Sequence, residues 1–118
     1  MKYGLIITGA AGFLGVNILL KISEDFRKKY DRVISIDKLG FSTLYNREIY
    51  NELCDSNNIE RHNINILDIS NHIKFSANYD WDIIDLASEY NVNDNTFKEN
   101  YLIPLNFISA FDDLNSIR

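Results

Sequence analysis

Three glycines stand three residues apart near the head of the chain, Gly9, Gly12 and Gly15 in the stretch TGAAGFLG, directly after the apolar run Leu5-Ile6-Ile7. A helix start carries unpaired N–H groups and a partial positive charge, so it attracts a pyrophosphate. Using that site demands a tight turn out of the strand, which Gly9 supplies. Backbone must also approach the phosphate, which Gly12 permits, and Gly15 lets the helix pack closely against the strand. Asp37 ends the next apolar run, 22 residues after Gly15. A carboxylate there suits both hydroxyls of an adenosine ribose and repels a 2′-phosphate, so the pattern favours NAD over NADP.

The elements around these residues have the right periods to position them. Tyr3 to Thr8 reads as a short buried strand bounded by glycine. From Phe13 to about Tyr30 the period is helical, with Leu14, Ile18, Leu19 and Ile22 on one face. Arg32 to Asp37 is a second strand, and a short helix is expected over Arg47 to Cys54. A third strand is expected in ERHNINILD, where Ile64 and Ile66 share a face by period two. A helical turn follows around Ser70 to Phe75. The fourth strand is Trp81 to Ala87, and the last element is a helix from Thr96 to Asp112, kinked or delayed by Pro104. Nearly apolar strands alternating with helices mean a parallel sheet covered on both faces. No linker divides the chain, so residues 1–118 make one α/β domain.

Composition narrows the function further. The 118 residues are 46% hydrophobic and 25% charged, which suits a globular domain. The net charge of -5 argues against a nucleic-acid partner, which needs a clustered basic surface. Arg27-Lys28-Lys29 is the one basic cluster, and it complements the dipole at a helix end. A lone cysteine, Cys54, fits a reducing cytoplasm and no disulfide framework. With His62 and His72 it also falls short of a metal site or a catalytic Cys/His pair, since no spacing supports either. The apolar runs are too short to span a bilayer, and Lys21, Glu24 and Asp25 speak against a secretory leader.

The spacing GxxGxxG, within ITGAAGFLG, resembles the opening of the extended short-chain dehydrogenase/reductases, the NAD-dependent epimerases and dehydratases of nucleotide sugars. VISIDKLGF is similar to the second strand of the dTDP-glucose 4,6-dehydratases in that family, where Asp-Lys-Leu surrounds the adenosine ribose. NINILDIS resembles their third strand, and IIDLASEYNV their fourth with its following loop. The resemblance implies a Rossmann-like doubly wound parallel sheet of four strands in the order 3-2-1-4, holding NAD. It implies cofactor contacts at Gly9, Gly12, Phe13, Leu14, Gly15, Asp37, Lys38, Leu39, Asp68, Ile69, Leu86, Ala87 and Ser88, with Asn100 as a looser match.

Departures from the family bear on activity. Asp85 stands where relatives carry histidine, and a carboxylate near a pyrophosphate weakens binding unless it is paired or points away. The stretch from Val92 to Asn100 is shorter than in the relatives. No Tyr-x-x-x-Lys occurs, and the family's fifth strand and C-terminal sugar-binding part have no counterpart. Glu89 and Tyr90 read as a polar rim rather than as proton carriers, so no catalytic residue is assigned. The sequence thus suggests a truncated NAD-binding module without catalysis of its own. The alternatives are the cofactor half of an enzyme completed by another chain, or a scaffold with a vestigial site. The edge of the fourth strand and the helix 96–112 are the expected surfaces for self-association or a partner chain.

Overall fold

Leu5, Ile6 and Ile7 lie at the heart of a four-stranded parallel sheet in the computed structural model. It describes residues 2–38, 44–87, 105 and 107–118, with the side chains of 22–27 and 44–46 outside that description. The strands are β1 (Lys2–Thr8), β2 (Arg32–Ile36), β3 (Glu60–His62) and β4 (Tyr79–Asp85). Their spatial order is β3-β2-β1-β4, the expected 3-2-1-4. The helices are α1 (Phe13–Lys29) and α2 (Leu44–Ser56).

Period-two alternation along β1 divides the core between two faces. Leu5 and Ile7 join Val33 beneath Val16 and Leu19 of α1 and Tyr50 and Cys54 of α2. Ile6 faces the other way, with Ile34, Ile36, Ile69, Phe75 and Trp81. That second face is covered by a 3-10 turn at Ile66–Asn71 and by the helical turns around Phe107 and Phe111. Phe75 meets Phe111 at 4.6 Å and Trp81 at 5.5 Å between ring centroids, edge or tilted contacts that suit aromatic quadrupoles.

Gly4 has a packing role the sequence does not announce. It pairs in register with Trp81 of β4, and a Cβ on Gly4 would lie 2.3 Å from the indole ring. The missing side chain lets the fully buried Trp81 lie across the sheet toward Arg32, whose guanidinium sits 5.9 Å from the ring. Arg32 in turn forms a two-pronged ion pair with Glu60 at 2.9 and 3.0 Å.

The third strand is shorter than its alternation suggests. It ends at His62, and Ile66 opens the 3-10 turn instead of sharing a strand face with Ile64. The cause is Asn65, whose side chain accepts a hydrogen bond from the Leu67 N–H at 3.0 Å and caps the turn. Asparagine offers the backbone this local alternative to a ladder. Helical structure therefore begins at Ile66 and not near Ser70. Most of the expected helix 96–112, Pro104 included, lies outside the described residues.

Candidate functional site

Three segments meet at the carboxyl ends of β1, β2 and β4, and each is shaped by a different local cause. Gly9 turns the chain out of β1 with φ at +66°, a left-handed conformation that a side chain resists. Its N–H bonds to the Ile36 carbonyl at 2.8 Å, and a Cβ would strike the Leu86 carbonyl carbon at 2.7 Å. The turn is therefore wedged between the ends of β2 and β4. Gly15 is just as confined, since a Cβ would lie 2.5 Å from the Ala10 carbonyl oxygen. Its close approach is to the turn itself, not to a strand.

Gly12 is different. Beyond its chain neighbours, the nearest atom to a Cβ there is the Gly9 carbonyl oxygen at 3.4 Å, and no other lies within 4 Å among the described residues. Packing within the described chain gives little reason for a glycine at this position. The Gly12 carbonyl accepts from the Val16 N–H at 3.0 Å, which makes Gly12 the cap of α1. Phe13, Leu14 and Gly15 then supply the first N–H groups, those that lack intrahelical partners by construction. No acidic residue occupies this first turn. Phe13 is 79% exposed and Leu14 56%, two large apolar side chains left in solvent beside the turn.

Asp37 follows β2 immediately and turns back onto the glycine loop. Its carboxylate accepts the Ala11 N–H at 3.0 Å, while its own N–H bonds to the His62 carbonyl at 3.1 Å. The acid is thus held against the helix start across the gap between β1 and β2. The Ala11 N–H is one donor to a carboxylate, a group with about four acceptor positions. These features suit the adenosine and pyrophosphate parts of NAD.

The third segment is organised by Thr8, to which the glycine motif assigns no role. Its buried hydroxyl donates to the Asp85 carboxylate and accepts from the N–H groups of Leu86 and Ala87, at 3.1 and 3.2 Å. Asp85 is accordingly tied to the end of β1 by its hydrogen bond to Thr8, although a neutral hydroxyl leaves its charge in place. One signal was available in the sequence: a hydroxyl residue closing an otherwise apolar strand next to the glycine turn.

The remaining candidates are placed unevenly. Lys38 is exposed beside Asp37, and Leu86 and Ala87 are half-buried against the Gly9 turn. Asp68 is exposed on the 3-10 turn, whereas the Ile69 side chain is fully buried among Ile34, Ile36 and Phe75. Ile69 serves the core with its side chain. Leu39, Ser88, Glu89, Tyr90 and Asn100 lie outside the described residues.

Other reactive groups are engaged elsewhere. Cys54 is buried beside Ser35 and Tyr50, and burial pushes its thiol pKa up, the reverse of an activated nucleophile. Burial and a 2.6 Å hydrogen bond to Asp82 push the Tyr30 phenol up to about 12. Among the described residues no group of His, Cys, Asp and Glu could hold a metal ion. Among them also, no helix is long and apolar enough to cross a membrane.

No family model matches the sequence, and no curated protein matches it significantly. Solved structures do match the fold. UDP-glucuronic acid 4-epimerase from Bacillus cereus, solved with UDP-glucuronic acid and NAD, aligns over 92% of this chain at 19% identity and a TM-score of 0.60. The UDP-Glc/GlcNAc 4-epimerase of Campylobacter jejuni aligns over 92% at 18% identity and a TM-score of 0.54. This chain spans 38% and 30% of the lengths of those two proteins. At such identities the likeness is one of architecture: a Rossmann-like α/β sheet, shared with nucleotide-sugar epimerases.

Proposed function

We propose that this chain is an NAD-binding module, similar to the cofactor half of a dTDP-glucose 4,6-dehydratase and without turnover of its own. The observation that carries the reading is the Gly12–Asp37 pair of features. One glycine is unexplained by packing among the described residues, and one carboxylate is tied to the same loop by a backbone bond.

In this reading Gly12, Phe13, Leu14 and Gly15 take the pyrophosphate on the α1 start, and Asp37 takes the ribose hydroxyls. Leu86 and Ala87, fixed by Thr8, line the other side. Bound NAD supplies a hydride acceptor in enzymes of this class. What this chain adds is binding and orientation, because no Tyr-x-x-x-Lys pair is present to move a proton. The lone buried thiol is compatible with a cytoplasmic setting.

Calorimetric titration with NAD and NADP tests the assignment. NAD binds measurably and NADP at least about tenfold more weakly, the discrimination expected of a carboxylate facing a 2′-phosphate. Equal affinities, or none, would contradict it. Incubation with dTDP-glucose and NAD should leave the sugar unchanged when the chain is alone. A second reading, in which a companion chain completes an active enzyme, is favoured by the outer side of β4. Restored conversion of dTDP-glucose on adding that companion would establish it.

A further inference from the structure

Thr8 and Asp85 pair in register at the carboxyl ends of β1 and β4, directly before the Gly9 turn. Period two puts both side chains on the sheet face of Ile6 and Ile83, away from α1. The Thr8 oxygen receives two N–H groups, from Leu86 and Ala87, so its single proton is left for the Asp85 carboxylate. That bond fixes where the carboxylate sits. Thr8 is fully buried whereas Asp85 is exposed, so the charge is held at the rim of the sheet. Among the described residues no cation pairs with it.

The position of Asp85 relative to Asp37 decides what it can act on. The sheet order is β3-β2-β1-β4, so the two acids flank the glycine turn two strand gaps apart, about 10 Å. One ribose cannot meet both. On the NAD reading, on which all of this rests, the adenosine sits on Asp37 and the pyrophosphate on the α1 start. That leaves the β4 end to the second nucleoside. Asp85 stands there, on the face opposite α1, nearer the nicotinamide than the pyrophosphate. A carboxylate so placed attracts a cationic ring and gives a neutral one nothing comparable.

We propose that Asp85, positioned by Thr8, makes the site select the oxidised cofactor: NAD, whose nicotinamide ring is cationic, over NADH, whose ring is neutral. Both forms share the adenosine and the pyrophosphate, so Asp37 and the α1 start do not tell them apart. The one charge that differs is at the ring, and charge complementarity there gives specificity. Such a site fills as the cofactor pool is oxidised and empties as it is reduced.

The test is calorimetric titration of the full chain and of Asp85→Asn with NAD, NADH and ADP-ribose, the last of which lacks the ring. Asparagine keeps the shape and an oxygen for the Thr8 hydroxyl but removes the charge. The ratio of NAD to NADH affinity should fall about three- to tenfold in the variant, as for one charge pair near a protein surface. ADP-ribose should change as NADH does. A ratio that does not change overturns the proposal and leaves NAD binding standing. ADP-ribose weakened along with NAD would place the effect outside the ring and overturn it as well. Failure of all three ligands to bind overturns the NAD reading and this inference with it. The unmodified chain gives a check that does not depend on the variant folding: its preference for NAD should shrink between about 20 and 500 mM salt. A preference indifferent to salt, or one for NADH, overturns the proposal.

Discussion

Gly4 lies within β1 and Gly12 just beyond the turn that follows it, and they serve opposite ends of the sheet in opposite ways. At the amino end the space a Gly4 side chain would take is filled by Trp81, 2.3 Å away. The charges there are matched: Arg32 with Glu60, and Arg118 with Asp82. At the carboxyl end, among the described residues, the space beside Gly12 holds nothing beyond its chain neighbours closer than 3.4 Å, and two large apolar side chains face solvent. Packing among the described residues explains one glycine and leaves the other without a packing role. A glycine motif thus becomes evidence for binding only after its packing roles are subtracted.

The comparison can be broken at several points. Gly9→Ala should have the largest effect, roughly 2–5 kcal/mol of stability in denaturant unfolding, from its left-handed backbone and its contact with Leu86. Asp37→Ala comes next: NAD should bind about ten- to a hundredfold more weakly, equivalent to roughly 1.5–3 kcal/mol for a charge-assisted hydrogen bond. Gly4→Ala should cost about 1–3 kcal/mol by crowding Trp81 while leaving NAD affinity unchanged in calorimetry. Gly12→Ala should reverse that pattern, with about 1 kcal/mol or less of stability lost at the helix cap and NAD affinity down about tenfold. Equal effects of these two variants on binding would erase the distinction between the ends.

The smallest effect concerns pH at the amino end. The Arg32 guanidinium holds the Glu60 carboxyl below the usual range, aided by His62. A depressed carboxyl stabilises the fold above its unfolded pKa and loses that contribution as pH falls through the folded value. Glu60→Gln should therefore cost no more than about 1 kcal/mol at neutral pH, since the pair is well exposed. It should also flatten the stability loss below about pH 4, followed by thermal unfolding.

How much of this can be read from the sequence depends on sequence distance. The glycine turn, the start of α1 and Asp37 are legible because one helix and two strands connect them in order. The sheet order is legible from the alternation of strands with helices and from the family resemblance. The Gly4–Trp81 packing and the Thr8–Asp85 bond are not, because they depend on the register of β1 against β4, strands 77 positions apart. The end of β3 is missed because Asn65 spends its side chain on a cap, and period-two alternation does not register that choice. The core role of the Ile69 side chain is likewise illegible in its motif match, which implies only a cofactor contact.

Amide chemical-shift mapping with NAD tests the central claim most directly, because it reads both ends of the sheet in one experiment. Shifts should concentrate on Ala11 to Gly15, Asp37, Leu86 and Ala87, with Gly4, Arg32 and Trp81 unmoved. An unchanged spectrum at millimolar NAD, or shifts centred on the amino end, would contradict the account.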